Sequence, residues 1–194
     1  MADFTIEKGL VDGKTIAEWT ENWWTWALQA PANHNPLLDN TGSFAGTDNF
    51  GPVFFIGGTF GGPAERTFDV PAGKPLLIPI LNQFDTLDPK NVENKAMSDF
   101  KKSVNGLFAE IDGIAVKNLQ SDLVRTDFFS MGAPRPSSLI EQLGAPPGTD
   151  LSPSKSSGYW LMVQGLAPGQ HTLHFGGSSN TGFSTEVTDH ITVV

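Results

Sequence analysis

The side chains that could do chemistry in this sequence are four histidines and the carboxylates and amides that border its apolar segments. There is no cysteine, which excludes thiolate nucleophiles, thiolate metal sites and disulfides. His171 and His174 are separated by an odd number of positions, so on one strand they point to opposite faces and cannot share an ion. His190 precedes the expected last strand. His34 lies in a polar stretch with Asn33, Asn35 and Asp39, and Asn82, Gln83 and Asp85 sit where an apolar strand should emerge from the core. If these segments met at one mouth of the fold, His34, Asp85 and His174 would be the catalytic candidates. Asn35, Asp39, Asn82 and Trp24 would bind the substrate. A glycosidase pair further requires two carboxylates brought to about 5–10 Å, which spacing alone does not establish.

Metal chemistry has weaker support. A transition-metal site needs at least three converging ligands. Calcium takes six to eight oxygens, and the loop holding Asp39, Asn40, Asp48 and Asn49 offers several, with Asp39 and Asp48 as the candidate ligands. No EF-hand spacing accompanies them, and Asx residues serve equally as turn formers. Calcium is thus the one cofactor left open. No Gly-x-Ser-x-Gly elbow occurs, and the glycines at 57–62 lack the lysine of a phosphate-binding loop.

The elements that must position these groups read as follows. A helix is expected over 14–30, opened by a capping box of Thr15 and Glu18, with Ile16, Trp19, Trp23, Trp26, Ala27 and Ala30 on one face and Pro31 as the stop. Trp24 falls off that face and is expected to be partly exposed. A long polar loop over 31–51 follows. Strands are expected over 53–56, 66–70 and 76–81, the last interrupted by Pro79 and therefore at an edge or a bulge. Asp88-Pro89 opens a second helix, with Val92, Ala96, Met97, Phe100 and Val104 at helical spacing and Gly106 as its stop. A hairpin around Asp112-Gly113, a strand over 123–129, and a short helix capped by Ser138 and Glu141 come next. Strands over 159–164, 171–175 and 191–194 close the chain, with Pro168-Gly169 as a turn and 145–157 and 176–180 as loops.

This order, with 21 glycines, 14 prolines and only 17% charged residues, predicts an all-β sandwich or jelly-roll-like domain. It carries an N-terminal Trp-rich helix and one or two further short helices, in a single domain over 1–194. Net charge is −9, and Lys101-Lys102 is the only adjacent basic pair, so nucleic acid is an unsuitable partner. No apolar run approaches the ~20 residues of a membrane span. The N-terminus shows neither the basic nor the apolar region of a signal peptide.

The segments Trp23-Trp24-Thr25-Trp26-Ala27, Asn35-Pro36-Leu37-Leu38-Asp39, Gly51-Pro52-Val53-Phe54-Phe55 and Gly58-Thr59-Phe60-Gly61-Gly62 form a distinctive series. So do Val70-Pro71-Ala72-Gly73-Lys74, Gly158-Tyr159-Trp160-Leu161-Met162, and Pro168-Gly169-Gln170-His171-Thr172 with Phe175-Gly176-Gly177. Together they resemble a loosely defined set of uncharacterised bacterial proteins, many of them exported. The resemblance implies no activity and assigns no residue a role; it implies an extracellular or exported protein, with the cytoplasm as the alternative. With no catalytic motif, the expected function is a non-catalytic binding or structural module whose partner is a carbohydrate, another protein or further copies of itself as a homo-oligomer. The alternative is an enzyme acting on a small or glycosidic substrate in a polar pocket at one end of the sandwich.

Overall fold

The computed structural model of the protein describes residues 4–86 and 95–194. In chain order the described elements are β1 (Thr5–Glu7), α1 (Ile16–Gln29), β2 (Phe54–Phe55), β3 (Gly62–Val70), β4 (Leu76–Thr86), α2 (Lys95–Ser103), β5 (Val104–Ile111), β6 (Ile114–Ala115), β7 (Leu123–Arg125), α3 (Leu139–Gln142), β8 (Ser154–Gln164), β9 (Gly169–Ser179) and β10 (Ser184–Val193). They form two five-stranded sheets: β1-β8-β4-β2 with β7 also on β8, and β3-β10-β9-β5-β6. The expected β-sandwich with a few short helices is what the chain forms. Most neighbours are antiparallel, but β10 runs parallel to β3 over nine residue pairs and β2 parallel to β4. Among the described residues no helix is long and apolar enough to cross a membrane.

Two cores result, because the first sheet is buried on both faces. Ile78, Leu161, Phe175, Val187 and Ile191 pack between the sheets. Leu77, Trp160 and Met162, on the opposite face, pack against Trp19, Trp23, Trp24 and Trp26 of α1. Burying one large apolar side chain contributes about 1.5–3 kcal/mol, so the indole layer is a major term in holding α1 to the sheet. The helix begins as the sequence requires: the Thr15 hydroxyl accepts from Glu18 N at 3.2 Å, and Thr15 N donates to the Glu18 carboxylate at 2.7 Å. It ends before Pro31, where the Asn35 amide donates to the Ala27 carbonyl at 2.8 Å.

Several expectations need correction. Trp24 is only 8% exposed. Its ring lies tilted against Phe84, centroids 5.1 Å apart, and meets Trp23 edge-on at 5.0 Å, because α1 is covered from more than one side. Gly176 and Gly177 lie inside β9, not in a loop. A Cβ would meet the Thr185 carbonyl at 2.1 Å from Gly176 and the Gly106 carbonyl at 2.8 Å from Gly177, so these glycines serve close strand approach. The β9–β10 hairpin therefore runs on, and the last strand starts at Ser184 rather than at 191. Likewise β8 starts at Ser154, inside the expected 145–157 loop. The strand expected over 123–129 is regular only to Arg125, and Phe129 adds an isolated bridge to Ser154. Val104 and Gly106 belong to β5 rather than to the second helix; Asp88-Pro89 and Val92 lie outside the described residues. Pro79 sits at the expected bulge, where the register against β8 shifts between Pro79 and Leu81, and among the described residues β2 pairs with β4 at Leu76 and Leu77.

Candidate functional site

The polar residues singled out in the sequence do not gather. His34 ends an exposed 3-10 turn, its ring edge-on to Phe44 at 4.9 Å. Asn35 is buried, with its amide committed to the end of α1 and its carbonyl oxygen accepting from Leu37 N at 2.9 Å. Asp39 accepts from Thr41 N, the Thr41 hydroxyl and Phe44 N at 2.7, 2.7 and 2.8 Å. Burial works against its charge, but these bonds and the Arg66 guanidinium hold its carboxyl below the usual range. Asp48 pairs with Arg135 at 3.6 Å. Asp85 lies opposite Lys155 of β8, and His174 meets Glu186 at 3.0 Å on the outer face of the second sheet. His190, within β10, meets Glu65 at 3.1 Å on the neighbouring β3. Among the described residues no group of three or more His, Cys, Asp or Glu is placed to hold a metal ion.

Asn82 and Trp24 do meet, at a cavity of about 300 Å³ between α1 and the far end of β4. That volume is at the lower bound of ordinary ligand pockets, about 300–1,000 Å³. Trp23, Trp24 and Leu28 of α1 form one wall, and Gly58, Thr59 and Phe60 form another. Ile140 and Leu143 from the α3 region and Phe183 and Thr185 at the start of β10 complete it. At the rim, Phe60, Leu143 and Phe183 are 53%, 59% and 38% exposed, an unusual investment of large apolar surface around one opening. Among the described residues, no Lys, Arg, Asp or Glu lines this cavity.

The cavity exists because β2 is cut short. After Phe55 the chain could continue alongside β4, and Ile56 N still donates to the Leu77 carbonyl at 3.0 Å. Beyond that point its carbonyls are taken elsewhere: Ile56 O by Trp23 Nε1 at 2.8 Å, and Gly57 O and Gly58 O by Arg66 Nη1 and Nη2, each at 2.7 Å. Gly57 is needed for this, since a Cβ there would lie 2.8 Å from Arg66 Nη1. Polar groups on the cavity side are sparse. No side-chain hydrogen bond to Asn82 occurs among the described residues, and the buried Trp24 Nε1–H has no acceptor among them. A Cβ on Gly158 would fall 2.4 Å from Asn82 Cβ and 2.8 Å from Trp160 Nε1, so the Asn82 stem and that second unpaired indole N–H flank one point on β8.

Arg66 and its neighbour Asp189, paired in register on β3 and β10, are the residues sequence reasoning missed. Both are buried, yet Arg66 Nη1 stands 3.9 Å from Asp189 Oδ1, an ion pair beyond hydrogen-bond reach, and neither Asp189 oxygen has a hydrogen-bond partner among the described residues. Burial pushes the Asp189 carboxyl up to about 7 against the opposing pull of Arg66. A signal was present: Arg66 shares strand parity with Phe68 and Val70, and Asp189 with Val187 and Ile191, so each is an ionisable group on an inward face.

No protein-family model matches the chain, and no curated protein or solved structure shows detectable similarity to it.

Proposed function

We propose that this protein is a non-catalytic binding module that seats an uncharged, apolar group of its partner in the cavity between α1 and β4. The observation that carries this reading is that the described lining is uncharged and lies beneath a rim of exposed Phe60, Leu143 and Phe183. Acid–base and nucleophilic catalysis need a titratable or activated group at the reacting atom, and among the described residues no Asp, Glu, His or Lys side chain borders the cavity. A carbohydrate is the less suitable ligand. Among the described residues its many hydroxyls would find few polar side chains, those of Asn82, Gln83, Thr59, Thr185 and the Trp24 indole N–H, leaving desolvated polar groups unpaired. An apolar side chain of a protein partner loses nothing on entering.

Titration with Nile red, an uncharged apolar dye, tests the site. Energy transfer from the tryptophans to the dye should saturate, and the double rim variant Phe60→Ser, Leu143→Ser should weaken it with little change in thermal stability, since both side chains are more than half exposed. No saturable binding up to the solubility limit of the dye would refute the reading.

A further inference from the structure

We infer that the occupant of the cavity is a compact, uncharged small molecule whose carbonyl oxygen accepts from the Asn82 amide and the Trp24 indole N–H. This inference rests on the binding role proposed above and names its ligand class. The cavity of about 300 Å³ sets the size. One water takes up about 30 Å³ of the liquid, so the space suits a molecule of about ten to fifteen non-hydrogen atoms. Trp23, Trp24, Phe60, Phe84 and Phe183 line it, which matches a ligand built on a ring. Asn82 leaves β4 on the side that faces α1, shared with Phe84 and, on the neighbouring β8, with Gly158 and Trp160. Trp24 packs against both Phe84 and Trp160, so Asn82 lies between the two rings that Trp24 touches.

Both groups have unused donors. The Asn82 side chain is half-buried and makes no hydrogen bond among the described residues, and the buried Trp24 Nε1–H has no acceptor among them. A buried donor without a partner is costly, so a ligand gains affinity by supplying the missing acceptor. An indole N–H only donates, and the matching ligand atom must therefore accept. The walls select against charge. Among the described residues no cation lines the cavity, and Arg66 is committed to the carbonyls of Asp39, Gly57 and Gly58. A carboxylate would lose its water without gaining a counter-charge. Apolar amino-acid side chains carry no carbonyl, so one entering from a protein partner would fill the space and leave both donors unpaired. A carbonyl on a small ring system meets the size, the aromatic walls and the two donors together.

The test uses the full chain and three probes: 2-acetylnaphthalene, 2-isopropenylnaphthalene, in which a methylene group replaces the oxygen at nearly constant shape, and 2-naphthoate. Displacement of Nile red gives their affinities. The Trp24 indole N–H is followed by NMR, its resonance assigned with Trp24→Phe. Ketone binding should move that resonance downfield, and the hydrocarbon should not. In Asn82→Leu, which keeps the volume and removes the donor, the ratio of ketone to hydrocarbon affinity should fall about tenfold. Naphthoate should bind at least about tenfold more weakly than the ketone. A ketone that binds and leaves the indole resonance unmoved overturns the inference, as does an unchanged affinity ratio; the cavity is then a purely apolar site. If Asn82→Leu loses the hydrocarbon as well, the resonance of the native protein decides by itself. Naphthoate binding as tightly as the ketone overturns the uncharged class. Nile red that none of the naphthalenes displaces overturns the compact ligand and keeps the binding role, whereas failure of dye and naphthalenes alike overturns both.

Discussion

Replacing Asp189 by asparagine should remove a fall in stability that the native protein suffers between about pH 4 and pH 7. The carboxyl is buried without a hydrogen-bond partner among the described residues, and its pKa rises from 3.8 to about 7 on folding. Across that interval the folded protein keeps a proton that the unfolded chain releases, so unfolding is favoured as pH rises. Stability from this group is full below pH 4, lost progressively up to the folded pKa, and constant above it. At about 1.4 kcal/mol per pH unit the loss amounts to as much as about 4 kcal/mol at pH 8. Asparagine has nearly the shape of the protonated acid and no charge to bury. Arg66 keeps its three carbonyl acceptors on Asp39, Gly57 and Gly58 in the variant. Urea unfolding followed by tryptophan fluorescence, with native and Asp189→Asn proteins measured side by side from pH 4 to pH 8, supplies the difference directly and cancels the other titrating groups. The two should coincide near pH 4 and diverge upward for the variant. A variant that is less stable by the same amount at every pH would refute the reasoning. It would mean that Asp189 is ionised throughout and is held by Arg66.

Trp23→Phe and Trp24→Phe remove the same atoms from one helix, but only Trp23 donates to a buried carbonyl, that of Ile56. Thermal or urea unfolding should therefore show Trp23→Phe costing about 1–2 kcal/mol more than Trp24→Phe; equal costs would deny the Ile56 bond its role. Gly158→Ala drives a methyl to 2.4 Å from Asn82 Cβ and should destabilise by about 1–3 kcal/mol, with weakened Nile red binding because Asn82 is displaced. Thr15→Ala should cost about 1 kcal/mol through loss of the capping box, readable as a lower unfolding midpoint. Burial alone would lower the pKa of His171, but bonds to Asp112 at 2.7 Å and the Ala167 carbonyl at 2.8 Å raise it above the ordinary value. This contribution to stability is present below the unfolded pKa and is lost as pH rises through the folded one. In an NMR titration Asp112→Asn should move the His171 midpoint down, and an unchanged midpoint would deny the pairing.

What the sequence determined by itself is what depends on neighbours along the chain. Thr15 and Glu18 set the start of α1, Pro31 its end, and Asp112-Gly113 and Pro168-Gly169 the places where strands turn back. The abundance of short apolar runs between turn formers specified two packed sheets. Composition alone removed thiol chemistry. The tertiary structure decided what depends on partners far away. Trp24 lies off the helix's main apolar stripe and is buried because Phe84 and Trp160 arrive from two other strands. Gly176 and Gly177 look like a turn and are instead the tightest points of a ladder, set by Thr185 and Gly106. His34, Asp39, Asp85 and His174 looked capable of converging, and the register of β4 on β8 and of β9 on β10 places none of them in the wall of the cavity that Asn82 and Trp24 share. The end of β2 is also set at long range: Ile56 N still donates to the Leu77 carbonyl, but Pro79 offers no N–H in return, and Trp23 on α1 and Arg66 on β3 take the carbonyls of Ile56, Gly57 and Gly58. Local periodicity records which face a residue prefers, whereas convergence is fixed by strand order and register, which are properties of contacts between segments separated by tens of residues.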